Sequence, residues 1–315
     1  MSTQSTNDSS LIERELLREQ KYKAMYEWLV KKAPRGTKHK NLSHMLLRYL
    51  FNLSAKPTDD PVFITTPSVA GDRQFKYDVE YFKIGDAKQA AFLTEGLTAA
   101  FKKAASEVKL AKLPTDKEVV RKVEGDKAWL YYGTRKFRDT RDLGLQDAQT
   151  AFALHIRYSY LDLSNHGLAR VYDADKDSAT EGFANPFNRY FNNYCSFFPD
   201  LEVRFGSKGS FFDQQSFSTP VVQINPPFDV TVMSRAFEHV YKLLAAGATN
   251  VFTLTIPDWD DFPELAKLEN SKWTHGRIVA YEKGELEFID HMTGQKFSPC
   301  GIVEITLSNT PPKQQ

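Results

Sequence analysis

The residues best suited to chemistry in this chain of 315 residues are Asn225-Pro226-Pro227-Phe228. They close an apolar run, Val221-Val222-Gln223-Ile224, and precede a stretch with helical spacing from Val230 to Leu244. An Asn side-chain oxygen and the carbonyl of the first Pro can each accept a hydrogen bond from an exocyclic amine such as adenine N6. Pro brings no competing N–H and holds its own φ, so both acceptors stay aimed. An aromatic ring at the fourth place can stack on an unstacked base. A strand ending in Asp, Asn or Ser, then Pro-Pro, then an aromatic is a recurrent way to hold an amine for methylation. The same residues also read as a strand end followed by a Pro-Pro turn, and a tetrapeptide alone does not choose between the two.

Periodicity and breakers indicate the elements that must position this tetrapeptide. Residues 1–10 are polar and read as a disordered tail, as do residues 311–315. Apolar spacing predicts helices over Leu11 to Val30, Asn41 to Leu53, Ala91 to Leu110 and Asp147 to Tyr160, with a break at Pro34-Arg35-Gly36. A short helix is expected at Asp116 to Val123 and a strand near Phe75 to Phe82. Residues 11–150 therefore read as a mostly helical domain. Beyond Gly167 the pattern changes to strands alternating with helices. A first strand ends at Arg170 to Tyr172 or at Gly182 to Phe183, with Ala184-Asn185-Pro186-Phe187 as its loop and an aromatic-rich helix over Asn188 to Phe198. Glu202 to Phe205 is read as a short strand ending at Gly206-Ser207-Lys208-Gly209. Val221 to Ile224 and the continuous apolar run Val251 to Ile256 are strands, and a strand pair near Arg277 to Phe288 and Gly301 to Leu307 finishes the chain. This alternation predicts an α/β sheet over residues 151–310, in which ligands bind at the carboxyl ends of strands, where the Ala184 loop and Asn225 would lie.

Composition narrows the function classes. Aromatics make up 13% of the chain, which marks a globular protein rather than a disordered one. No apolar run approaches the ~20 residues that cross a bilayer, and the first residues lack a hydrophobic signal core. Only Cys195 and Cys300 are present, which fits a reducing compartment, nuclear or cytoplasmic, and excludes a multi-cysteine zinc site. His155, His166, His239, His275 and His291 form no spaced ligand set with carboxylates, so no metal is assigned. No nucleophile elbow supports a Ser-His-Asp hydrolase. Net charge is +1, yet Lys21 to Arg48 holds eight basic residues against Glu27 alone, and Lys102 to Arg141 holds twelve against six acidic. From Asp258 to Asp290 nine acidic residues face four basic ones. That asymmetry permits a polyanion groove in the N-terminal half and equally describes solvated helix faces. Lys31, Arg35, Lys38, Arg135, Lys136 and Arg138 are the candidate phosphate contacts, with Tyr131, Tyr132 and Phe137 placed to stack on single-stranded bases.

Several ordered blocks extend the tetrapeptide: Phe183-Ala184-Asn185-Pro186-Phe187-Asn188-Arg189-Tyr190-Phe191, Tyr194-Cys195-Ser196, Phe198-Pro199-Asp200, Phe205-Gly206-Ser207-Lys208-Gly209 and Ile256-Pro257-Asp258-Trp259. In this order and spacing they resemble the phosphorylated C-terminal-domain-interacting factor family, cap-specific adenosine N6-methyltransferases, densely over about Phe183 to Trp273. The resemblance implies a Rossmann-like class I methyltransferase domain preceded by a mostly helical domain that binds RNA or cap. It implies S-adenosylmethionine as methyl donor and, as target, the adenosine next to the cap of capped mRNA. No paired-Trp strand pattern precedes the helical part, so a WW module is not expected and docking to the polymerase tail is not supported.

On this reading Asn225 and the Pro226 carbonyl accept the amine protons, Pro227 stiffens the turn and Phe228 stacks on the adenine, with Trp259 walling the pocket. Phe183, Ala184, Asn185 and Pro186 face the methionine part of the cofactor, in a loop thought to open a helix whose free N–H groups suit a carboxylate. Asn225 also contacts the cofactor. Gly206 and Ser207 would lie near the ribose, and Asp213 or Asp258 could bind hydroxyls or the adenine edge. Two alternatives share these residues: a catalytically inactive RNA-binding or partner subunit of the same fold, and an N6-adenine DNA methyltransferase.

Overall fold

The computed structural model describes residues 9–53, 59–65, 69–163, 168–170, 172–259, 265, 267–268, 270–275, 279–290, 295–298 and 300–310. Most of both tails expected from the sequence, together with His166, Arg277 and His291, falls outside them. The chain divides into two compact units, residues 1–163 and 164–315, a boundary later than the one read from the sequence. The helix that crosses residue 150 explains the shift. Its Arg157 is fully buried and donates to the Glu15 carboxylate through Nη2 at 2.5 Å and Nε at 3.1 Å. Two charges removed from water are tolerable only together, so this helix stays with the first one. Burial alone would raise the Glu15 carboxyl, yet Arg157 and Arg18 hold it below the ordinary carboxylate value.

The first unit comprises α1 (Leu11–Lys32), α2 (His39–Phe51), α3 (Val69–Tyr81), α4 (Ala87–Leu110) and α5 (Leu143–Tyr160), with an antiparallel sheet of β1 (Val120–Glu124), β2 (Lys127–Tyr132) and β3 (Arg135–Arg138). The start of α1 is capped from far along the chain. Asp116 accepts the N–H groups of Ile12 at 2.8 Å and Glu13 at 3.0 Å, while its own N–H reaches the Ser9 carbonyl at 2.6 Å. Ser9 and Ser10, read as tail, are thus held. Asp147 leaves helical geometry (φ −157°, ψ 97°) and caps the rest of α5, accepting from Thr150 N at 3.0 Å and Thr150 Oγ1 at 2.7 Å.

Two expectations in this unit are overturned. Phe75 to Phe82 is helical, not a strand: Phe75 and Val79 bury one face at i, i+4, and Gln74 donates to Asp78 at 2.9 Å across the same spacing. Asp116 to Val123 forms no helix and instead leads into β1. Gly125 (φ 64°) and Gly133 (φ 59°) each open a two-residue hairpin loop whose second residue, Asp126 or Thr134, keeps negative φ. Such type II′ turns match the twist of the strands they join, and they set the register here.

The second unit is mixed α/β. Its main sheet runs β6 (Asn193–Tyr194), β5 (Ala179–Glu181), β7 (Val221–Ile224), β8 (Val251–Pro257), β12 (Ile302–Leu307), β9 (Val279–Tyr281). The first four are mutually parallel, and β12 runs antiparallel to both its neighbours. A smaller sheet joins β11 (Lys296–Phe297), β10 (Phe288–Asp290) and β4 (Leu168–Arg170). Register gathers the apolar residues in rows: Val222 beside Phe252 and Leu307, Ile224 beside Leu254 and Ile305, Ile256 beside Val303. Against them lies α7 (Val230–Ala245), which buries Met233, Ala236, Phe237, Val240, Leu243 and Leu244 at helical spacing. On the opposite face the Glu304 carboxylate receives Arg170, Thr255 Oγ1 at 3.0 Å and Tyr281 OH at 3.1 Å.

Two further expectations fail in this unit. Asn188 to Phe198 is not a helix but irregular chain containing β6, because the Asn192, Cys195 and Ser196 N–H groups, which a helix would bond internally, donate to the carbonyls of Lys176, Glu181 and Gly209. Glu202 to Phe205 is not a strand. Pro199 opens a helical turn, α6 (Pro199–Glu202), which continues as 3₁₀ through Phe205, while the Glu202 carboxylate accepts the Phe198 N–H at 2.6 Å.

If α7 holds the sheet through its apolar face, Phe237→Ala lowers the unfolding free energy by about 3–5 kcal/mol in urea titrations. Val230→Ala, on the exposed face of the same helix, changes it by less than about 0.5 kcal/mol.

Candidate active site

The site is built where the order of parallel strands reverses. From β5 the chain goes first to β6 on one side and then to β7 on the other. Loops leaving the carboxyl ends of two strands at such a point diverge, and the crevice between them admits a ligand. Here the loops are Gly182 to Pro186 after β5 and Asn225 to Phe228 after β7. Pairing continues one residue past β5, with Gly182 N–H donating to the Gln223 carbonyl at 2.8 Å. A Cβ on Gly182 would lie 2.8 Å from Ile224 Cδ1 and 3.0 Å from Phe211 Cδ2, so a larger residue here would make those two side chains shift.

Within the tetrapeptide, the two groups assigned as amine acceptors are uncommitted. Neither the Asn225 side chain nor the Pro226 carbonyl takes part in a hydrogen bond with any described residue. Pro227 differs, because its carbonyl accepts Asp229 N–H at 2.7 Å. The buried Asp229 carboxylate then accepts Val232 N–H at 3.0 Å and caps α7, tying the tetrapeptide to a rigid helix. Reasoning from the sequence passed over Asp229, although an Asp immediately before an apolar helix is a recognisable cap signal. Trp259 leaves the end of the adjacent β8. Its ring meets Phe228 edge to face, with centroids 6.4 Å apart and planes at 79°. Asp258, exposed beside it, is pinned through its N–H to the Gly301 carbonyl at 2.9 Å. Behind these groups, Gln223 Oε1 is buried without a hydrogen-bond partner, in register beside Glu181. The site therefore offers acceptors to a ligand that brings donors.

The loop after β5 departs from expectation. No helix opens at Ala184, so there is no helix N-terminus to receive a carboxylate. The Asn185 side chain accepts from Phe187 N at 2.8 Å and Asn188 N at 3.0 Å, and Asn188 Oδ1 accepts Asn185 N–H at 2.7 Å. Asn185 thus shapes the loop that carries Ala184 and Pro186. Phe183 packs on Phe211 and Phe212. Gly206 and Ser207 end no strand. Gly206 (φ 94°) closes the 3₁₀ turn, and Ser207 Oγ pairs with Ser196 Oγ at 2.5 Å just beyond β6. Asp213 lies in a 3₁₀ turn following Phe211.

Among the predicted phosphate contacts, all in the first unit, Lys31 is exposed in the last turn of α1, and Arg35 and Lys38 line a cavity of about 450 Å³ with Asn41, Tyr81 and Lys83. Arg135 is engaged by Glu19 at 2.7 Å. Lys136 and Arg138 are exposed on β3. Tyr132 and Phe137, expected to stack on bases, instead pack on Phe152 with centroids 5.6 and 5.0 Å away.

Glu181 was missed altogether. It ends β5, is almost fully buried, and accepts the N–H groups of Tyr190 at 2.7 Å and Phe191 at 3.0 Å. Burial pushes its carboxyl up to about 7, against the pull of those two N–H donors. Its signal was a lone carboxylate between a short strand and a Gly. A raised carboxyl stabilises the fold below its unfolded value and loses that contribution as pH climbs to the folded value. Between about pH 4.5 and 7 the urea midpoint of the native chain should fall with pH, and Glu181→Gln should flatten that fall. An unchanged slope would count against a buried, protonated Glu181.

Among the described residues no group of three His, Cys, Asp or Glu is placed to hold a metal, and no helix is long and apolar enough to cross a membrane. Residues 148–290 match the family model described as phosphorylated CTD interacting factor 1 WW domain. The expectation that a WW module is absent is not borne out by a match of that description, and the argument against polymerase-tail docking loses its basis. A curated mouse (Mus musculus) protein, mRNA (2'-O-methyladenosine-N(6)-)-methyltransferase, is 37% identical over 102 residues. The human (Homo sapiens) protein of the same name is 34% identical over 102 residues. Each match covers 31% of this chain and 14% of the relative. Residues 148–290 are thus similar to the phosphorylated CTD interacting factor 1 WW domain family, and a stretch of 102 residues is similar to the two mRNA (2'-O-methyladenosine-N(6)-)-methyltransferases.

Proposed function

We propose that the second unit is a Rossmann-like, S-adenosylmethionine-dependent adenine N6-methyltransferase acting on RNA, with the cap-adjacent adenosine of capped mRNA as its target. The observation that carries this reading is the pair of uncommitted acceptors, Asn225 Oδ1 and the Pro226 carbonyl, at the reversal of strand order. Two acceptors held by a proline-stiffened turn suit the two protons of an adenine amine. Phe228, braced edge-on by Trp259, offers a ring face to the base. Parallel strands with loops diverging at β5 and β7 support the Rossmann-like assignment, and the named relatives support RNA adenine as substrate.

When bound, S-adenosylmethionine supplies the methyl group. The loop of Phe183, Ala184, Asn185 and Pro186, with Gly206 and Ser207 beyond β6, would hold it on the β5 side of the crevice. What the chain contributes is mainly orientation and prearranged acceptors. Asn225 and Pro226 fix the direction of the amine lone pair and favour the positive charge that grows on N6 as it attacks. The proton released afterwards can pass to water, so no strong base is required. Asp229 keeps the acceptors from relaxing by anchoring the turn to α7.

The test is a methylation assay with capped RNA, uncapped RNA and DNA oligonucleotides of matched sequence. Asn225→Ala and Phe228→Ala should each lower kcat by at least about 100-fold, with circular dichroism retained in both and S-adenosylmethionine binding retained in Phe228→Ala. Methylation confined to DNA would replace the substrate assignment. Cofactor binding without turnover on any substrate would leave a partner subunit, and full activity in both variants would remove the site.

A further inference from the structure

We propose that the solvent-facing side of the β1–β2–β3 sheet in the first unit binds a single-stranded polynucleotide. The surface is independent of the catalytic reading: it uses neither the crevice in the second unit nor the cofactor. Antiparallel register places Trp129 and Tyr131 on one face of β2, flanked by Lys122 on β1 and by Arg138 and Lys136 on β3. Lys127 shares the face at the end of β2. All four Lys and Arg side chains are exposed, and both rings are partly exposed. The other side of the sheet is occupied by buried Leu130 and Tyr132, with Phe137 packed on Phe152. Core packing therefore accounts for the inward residues and leaves the outward aromatics unexplained.

The arrangement matches the chemistry of an unpaired strand. Rings two residues apart on a strand lie about 6.6 Å apart, close to two nucleotide steps at about 3.4 Å each. Lys136 Nζ sits 4.5 Å from the Trp129 ring centroid and 5.9 Å from that of Tyr131, and Lys122 Nζ lies 5.2 Å from Tyr131. The cations are thus already gathered around the two rings, and an exposed cation–π contact is weaker than base stacking, so a base can displace it. Glu124, the carboxylate on this face, is held by the Tyr131 hydroxyl at 2.6 Å. Stacked bases would meet the rings while phosphates meet the ammonium and guanidinium groups on either flank. An acidic polypeptide would satisfy the cations and leave the rings unused, and a duplex would keep its base faces hidden.

Fluorescence anisotropy of labelled single-stranded RNA and DNA 12-mers, with the full chain and no cofactor, tests this directly. The Trp129→Ala, Tyr131→Ala double variant should lose at least about tenfold in affinity while the salt dependence is kept. Removing Lys136 and Arg138 together (each →Ala) should reduce the slope of log affinity against log salt by about 0.7 per cation. Thermal melting of each variant separates loss of binding from loss of fold, and Lys109→Ala, exposed at the end of α4, serves as the control. Comparing the RNA and DNA arms identifies the strand that is taken. Wild-type affinity in the folded double variant overturns the proposal, as does absence of binding to both strands. Competition by polyglutamate as strong as by unlabelled RNA overturns it too. If methyl transfer fails while these affinities behave as stated, the binding surface stands without the proposed enzyme.

Discussion

The parallel pairing of β5 with β7 is the constraint on which the second unit depends. It draws the ends of two strands to hydrogen-bonding distance and then requires their loops to part, because β5 is already paired to β6 on its other edge. Gly182 is where that constraint is tightest. Its N–H prolongs the ladder, and the space above it is filled by Ile224 and Phe211. The apolar rows of Val222, Ile224, Phe252 and Leu254, clamped by α7, hold β7 to its other neighbour, β8. Pairing and packing therefore converge on one geometric result: the Ala184 loop and the Asn225 turn leave the carboxyl ends of adjacent parallel strands.

Rigidity at that crevice has a traceable source. Pro226 and Pro227 restrict the turn, but a restricted turn still needs an anchor. Asp229 supplies it by accepting the free Val232 N–H in the first turn of α7, whose apolar face is buried along its length. The loop after β5 is stiffened differently, by reciprocal bonds between Asn185 and Asn188 and by the buried Glu181 holding Tyr190 and Phe191. Each loop is thus braced by side chains that take local N–H groups, while the Asn225 side chain and the Pro226 carbonyl bond to no described residue. In the first unit a comparable economy appears at Glu15, whose charge is neutralised by Arg18 and Arg157 drawn from different parts of the chain.

What the sequence by itself determined was the set of elements with one clear period and a clear stop: α1, α2, α4, the capped part of α5, β7, α7, β8 and β12. In these, local spacing and burial agree, so α7 and the strand before it could be read directly, and with them the position of Asn225 at a strand end. Tertiary structure decided the rest. Phe75 to Phe82 carries strand-prone aromatics, yet the face it must bury repeats every four residues. Asn188 to Phe198 has helix-compatible apolar residues, yet its N–H groups at Asn192, Cys195 and Ser196 are taken by the distant carbonyls of Lys176, Glu181 and Gly209. The inward or outward direction of Trp129, Tyr131, Tyr132 and Phe137 followed only from hairpin register, since a shift of one residue reverses every side chain. Glu181 and Gln223 acquired their environment only when β5 lay beside β7. Local preference is written along the chain, whereas the burial of a carboxylate or the meeting of two loops depends on residues far apart in sequence.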